Sequence, residues 1–281
     1  MLRKGIALAA LGLALVSSPA LASGGSQAPM KETEFSFEGP FGKFDQAQLQ
    51  RGYKVYREVC SACHSMNLMY FRNLGQKGGP FYDEKYKNPN DNPYVKAIAA
   101  EYQINDVDTE TGDTIQRPGV PADKFPSPFA NEYAARASNG GALPPDLSVI
   151  VKARHHGAHY VYSLLSGYKD PPKGLTASPT QHYNPYFSGD LTPFWKGPHD
   201  KVPVGGFIAM PPQLEPDKVT FDDGTKSTIE QQAKDVATFL AWASEPKMEE
   251  RKRTGFMVMI FLGVLALLLY LVKKKVWADV H

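Results

Sequence analysis

Val59-Cys60-Ser61-Ala62-Cys63-His64-Ser65 is the stretch on which the reading of this chain turns. Its two cysteines are the whole cysteine complement of 281 residues, and a histidine follows the second directly. Two thiols so spaced can form a disulfide in an exported protein, complete a zinc site, or serve as a thioredoxin-type redox pair. Zinc needs two further ligands at suitable spacing, and the sequence has no second Cys-x-x-Cys. A redox pair belongs at a helix N-terminus in a βαβ context. Here Leu49, Tyr53, Tyr56 and Val59 recur at helical spacing, after a capping Asp45, and put the pair at a helix C-terminal end. With His64 adjacent, the remaining alternative is the attachment signature of haem c. Both thiols add across the haem vinyl groups and the imidazole takes the iron from the same side. A cofactor held in this way cannot dissociate.

The two ends of the chain say where such a cofactor works. Arg3 and Lys4, the apolar run Ile6 to Val16 and Ala20-Leu21-Ala22 have the pattern of a secretory signal, so residues 1–22 are expected to be removed. Near the other end, Thr254 to Val272 is nineteen residues without a charge, or roughly 28 Å of helix at 1.5 Å per residue, close to a bilayer core. Three basic residues flank it on each side (Arg251 to Arg253 and Lys273 to Lys275), so the positive-inside rule does not orient it. The signal peptide does. Residues 23–250 become an exported domain, 251–275 an anchor with basic flanks, and 276–281 a short cytoplasmic tail.

Charge acquires meaning after this division. Of 31 basic residues, two precede residue 23 and six follow residue 250; of 29 acidic residues, only Asp279 falls outside 23–250. The exported part thus holds 23 basic against 28 acidic residues, a net of −5. That balance would speed encounter with a basic soluble partner, and nucleic acid is not expected.

Within the exported part the sequence predicts helices at both ends and loop-rich sequence between. The first runs from Asp45 to about Val59. Short helices are expected near Tyr94 to Tyr102, over Phe129 to Ser138 (ended by Asn139-Gly140-Gly141), from Asp146 or Ser148 through Arg154, and over His159 to Ser166. Ser227 and Glu230 form a capping box for a last helix with its apolar stripe at Ile229, Ala233, Val236, Leu240 and Ala243. Residues 77–129, around the Tyr94 helix, and 167–227 read as Pro/Gly-rich loops.

The second axial position needs a methionine, a histidine, or nothing. Met66 and Met69 are too near His64 to wrap round the ring, Met30 lies in an N-terminal arm, and Met248, Met257 and Met259 abut or enter the anchor. Met210 remains, in Gly205-Gly206-Phe207-Ile208-Ala209-Met210-Pro211-Pro212, where glycines would permit close approach to the haem and prolines would stiffen the loop. His155, His156, His159, His182 and His199 are the competing ligands; His/Met ligation raises the potential relative to bis-His. Arg136, just before a loop break, can pair with a haem propionate or lie at the surface. A haem enzyme with an open iron site would need a missing sixth ligand or a second haem, and one attachment motif is present.

Several stretches together resemble the cytochrome c1 family. They are Arg51 to Tyr56 leading into His64, Ala134 to Leu147, Val161 to Tyr168, Asn184 to Phe187, Ile208 to Pro212, Phe221 to Thr225, and Ala233 to Arg253, in family order. The resemblance implies a mainly α, class I cytochrome c-like domain with long loop insertions around one haem, plus one C-terminal transmembrane helix. It implies haem c on Cys60 and Cys63, axial ligands His64 and Met210, and Arg136 as a propionate partner. The implied partners are cytochrome b, a Rieske iron–sulfur protein as donor, and a cytochrome c as acceptor, in a dimeric complex of the inner membrane with the haem domain on the periplasmic side. Some bacterial members have a disulfide before the methionine ligand. This chain has no cysteine for it, so residues 169–207 are expected to be ordered by packing and prolines.

Overall fold

Asp45 begins the helix that carries the cysteine motif: its carboxylate accepts from the Gln48 amide at 2.7 Å. In the computed structural model, which describes residues 27–279, this helix α1 spans Gln46–Val55. It passes without interruption into one wide π-helical turn, Tyr56–Cys60. The proposed signal segment lies outside the described residues.

Helix α1 buries Leu49, Gly52, Tyr53 and Val55, and its main partner is α5, Ile229–Ser244. A Cβ on Gly52 would lie 2.1 Å from the Asp235 carbonyl oxygen, so the two backbones touch where only glycine fits. Beside this crossing the Arg51 guanidinium reaches Asp235 at 2.8 Å and Asp223 at 2.6 Å. Helix α4, Gly157–Ser166, covers another face of α5. Tyr53, Tyr56, Phe71, Phe125, Phe239 and Trp242 are among the large side chains of the core between them.

The shorter helices follow their caps. Asn92 accepts from the Tyr94 and Val95 amides and starts α2, Pro93–Ala100. Asn131 caps α3, Glu132–Ser138, so this helix begins three residues later than expected. It stops at the expected place, where Gly140 and Gly141 take φ of +60° and +89°. The cap of α5 is Thr228, whose hydroxyl accepts from the Gln231 amide, rather than Ser227, which is buried next to it.

Three expectations are corrected. Residues 77–129 include a hairpin, β1 (Gln103–Val107) with β2 (Thr114–Pro118), in the register Gln103 opposite Pro118. Residues 146–154 form turns, because the Asp146 carboxylate is engaged by Ser65, Asn67 and the nearby Ser148 amide. Residues 167–227 contain a second hairpin, β3 (His182–Asn184) with β4 (Gly206–Ile208). It rests on a small cluster of Leu175, Tyr183 and Leu191 with Trp195, Val202 and Phe207. Apolar packing therefore does order this insertion.

The last helix, α6, spans Met248–Val276. Its 29 residues make about 43 Å at 1.5 Å per residue, and its side chains from Arg253 onward are exposed. It is long and apolar enough to cross a membrane.

Candidate haem site

The π-helical turn at the end of α1 delivers Cys60, and the chain then curls back on itself. The Cys63 and His64 amides both donate to the Cys60 carbonyl, at 3.1 and 2.9 Å. Both thiols and the imidazole therefore come from one turn, each half-buried. The cysteines are free thiols, not a disulfide. Among the described residues, no three His, Cys, Asp or Glu side chains converge as a metal-ion site.

His64 Nδ1 lies 2.7 Å from the Pro145 carbonyl oxygen. A carbonyl can only accept, so Nδ1 carries the proton and Nε2 keeps its lone pair. Burial lowers the pKa of this imidazole, favouring the neutral form that can ligate iron. Burial pushes the Cys60 thiol up to about 12, with Cys63 adding and the Lys218 ammonium opposing. The donor set, two thiols on one turn and a tautomer-fixed imidazole, fits a haem attached through thioethers.

A seam locks this turn to the segment after α3. The Leu147 amide donates to the Ser65 carbonyl at 2.8 Å, and the Leu68 amide to the Ser148 hydroxyl at 3.0 Å. Asp146 accepts from the Ser65 hydroxyl and the Asn67 amide, both at 2.7 Å. Burial pushes the Asp146 carboxyl up, but the hydrogen bonds from Asn67, Ser148 and Ser65 outweigh it and hold the group below the usual carboxylate range.

Met210 follows β4, half-buried, with its carbonyl accepting from the Tyr168 hydroxyl at 2.8 Å. Met66, Met69 and Met248 are absorbed in the main core and Met30 packs against it, whereas Met210 belongs to neither apolar cluster. Downstream, Lys218 donates to the Gln213 carbonyl and is near enough to act on Cys60, so the run after Met210 returns to the attachment turn. The glycines expected to permit close approach to the haem also meet protein backbone. Gly205, at φ +108°, would put a Cβ 2.5 Å from Pro185 Cα, and Gly206 one 2.8 Å from the Gly189 amide. They fit β4 against the 184–189 segment.

Arg136 is exposed at the end of α3 and donates to the Gly141 carbonyl at 3.2 Å. Sequence reasoning missed Arg154, which lines a cleft with Gln27, His155, Tyr160, Phe187 and Ser188. Its guanidinium donates to the Ala153 carbonyl at 3.2 Å and shares the cleft with the Tyr160 ring. The only hint in the sequence was a basic residue next to paired histidines. Of the competing histidines, His159 pairs with Glu38 at 2.6 Å, and His155 packs edge-on against His156. His182 lies in β3 and His199 in a single helical turn.

Residues 35–280 match the Cytochrome C1 family. Cytochrome b/c1 of Bradyrhizobium diazoefficiens is 44% identical over 305 residues, covering 99% of this chain but 41% of that longer protein. Cytochrome c1 of Rhodospirillum rubrum is 39% identical over 290 residues, covering 98% of this chain and 97% of its own. The mitochondrial heme protein cytochrome c1 of Saccharomyces cerevisiae is 45% identical over 247 residues, 88% and 71% of the two chains. Mainly helical, with thiols and imidazole on one turn and an apolar C-terminal helix, the molecule is a c-type cytochrome. Its cofactor is haem c. More narrowly, the chain belongs to the cytochrome c1 family, the haem-bearing electron-transfer subunits of cytochrome bc1 complexes.

Proposed function

We propose that this chain takes electrons singly from a Rieske iron–sulfur protein and passes them to a cytochrome c, within a dimeric complex built with cytochrome b. The single turn holding Cys60, Cys63 and His64, with Pro145 fixing the imidazole tautomer, carries the proposal. In it Cys60 and Cys63 would hold haem c by thioethers, His64 Nε2 and the Met210 thioether would be its iron ligands, and the domain is a class I cytochrome c-like fold. Bound there, haem c supplies a one-electron ferric/ferrous couple. Pro145 keeps His64 oriented through both oxidation states. Tyr168 holds the Met210 backbone, so the thioether approaches from a fixed strand end. Arg136 would be a cationic partner of the propionates, and Arg154, in its cleft with Tyr160 and Phe187, a second candidate.

With His64 and Met210 both given to the iron, the chain would act as a redox carrier with no substrate-binding catalytic site of its own. Residues 1–22 act as the export signal, the haem domain faces the periplasm, and α6 anchors it in the lipid of the inner membrane with 276–281 inside. The net charge of −5 over residues 23–250 favours a basic cytochrome c as acceptor.

Replacing the ligand tests the site. Met210→Leu is expected to leave the haem attached, lower its reduction potential strongly and open the iron to carbon monoxide. An unchanged potential and ferrous spectrum in the variant would remove Met210 from the site. Ready carbon monoxide binding by the reduced wild-type protein would overturn the carrier role in favour of an open-site enzyme.

A further inference from the structure

The N-terminal arm ends in a tight turn that the haem site does not explain. Gly39 takes φ +71°, and a Cβ on Gly42 would lie 1.9 Å from the Glu38 carbonyl oxygen, so two glycines close the turn over 38–42. Its apex residue, Phe41, is 74% exposed. Alone it would mean little, but it adjoins the exposed apolar surface of α6 and extends it.

The turn is fastened to the beginning of α6. The Lys252 ammonium donates to the Phe37 carbonyl at 2.6 Å and the Gly42 carbonyl at 3.2 Å. Glu249 accepts from the Phe44 amide at 2.9 Å. The Phe41 ring stands edge-on to Phe256, centroids 5.8 Å apart. Phe256 is the third residue of the uncharged run that starts at Thr254. Phe41 is thus level with the first apolar turn of the anchor, and exposed Lys43 and Arg253 lie two and three residues along the chain from Phe41 and Phe256 respectively.

We propose that the 38–43 turn is a second membrane contact, with Phe41 inserted at the lipid interface and Lys43 and Arg253 meeting phospholipid headgroups. This rests on the reading of α6 as the membrane anchor. The chemistry is that of an interfacial aromatic belt with basic neighbours. The clasp through Lys252 and Glu249 couples this contact to the haem domain, so the domain stands on the membrane at two points rather than swinging on one helix.

Photo-crosslinking in the assembled complex, in phosphatidylcholine–phosphatidylglycerol vesicles, decides the matter. p-Benzoylphenylalanine is placed singly at position 41, at 265 within α6, and at exposed Tyr133 on α3. The proposal expects a one-phospholipid mass shift on the peptides holding positions 41 and 265, and none at 133. Adducts at 265 with none at 41, or an adduct of 41 to another protein chain, would overturn it. Absence of lipid adducts at both 41 and 265 would instead sink the anchor reading and this inference with it.

Discussion

Arg51→Met removes the cation from a buried carboxylate and leaves it a single neutral side-chain donor. The Asp235 side chain is 0% exposed and the Arg51 side chain 16%, so the pair sits almost entirely out of water at the α1–α5 crossing. Without Arg51, the Gln231 side-chain amide remains as donor to one Asp235 oxygen at 2.8 Å, and the other loses its 2.8 Å partner. Stripping one side of a buried pair costs about 3–5 kcal/mol. The Asp223 end is more exposed and adds at most about 1 kcal/mol. A loss near 3 kcal/mol is expected, because Arg51 retains some solvent. For a domain of this size that is roughly 6–12 °C in thermal midpoint. Circular dichroism of the full chain in detergent measures it. Arg51→Met with Asp235→Leu should recover most of the loss, since an apolar pair leaves no stranded charge. A shift of the single variant below about 2 °C, or a double variant no better than the single, would refute the argument.

Other expectations follow from the site. The Asp146 carboxyl is held below its usual range, so its contribution is complete above that range and is lost as pH falls through the depressed folded value. Asp146→Asn should flatten the acid side of a midpoint-against-pH curve below about pH 4, and an unchanged curve would contradict the seam. Gly205→Ala meets both φ +108° and the Pro185 backbone, costing about 1–3 kcal/mol and disturbing the Met210 strand. Its signature is a mixed ferrous spectrum alongside a lowered midpoint. Gly52→Ala should destabilise by a similar amount, despite alanine's better helix propensity, because the Asp235 backbone cannot yield; thermal melts suffice to check it.

Much of this was legible in the residues. Cys60, Cys63 and His64 identify their own chemistry by spacing, Asp45 and the Leu49-to-Val59 stripe place the first helix, and an uncharged run between basic triplets can only be read a few ways. The β1–β2 hairpin was not legible, because neither strand has a fully buried residue and the half-buried face of β1 carries Ile104 and Asp106 rather than a row of apolar residues. The helix expected after Pro145 fails for a non-local reason: Asp146 answers to Ser65 and Asn67, some eighty residues away. Gly205 and Gly206 were singled out for close approach to the haem; the close approaches they make are to the backbone at Pro185 and Gly189, which is a tertiary fact. Arg154 stayed hidden because a lone arginine carries no periodic signal, and its cleft neighbour Tyr160 is recognisable only once α4 is folded.

The claim on which everything rests is covalent attachment at one turn, and a mass measurement tests it directly. Trypsin, cutting after Arg57 and Arg72, releases Glu58–Arg72 with both cysteines. The peptide from the native protein is expected to carry one haem through two thioethers and no alkylatable thiol. Recovery of that peptide with two free thiols, or with a Cys60–Cys63 disulfide, would contradict the account.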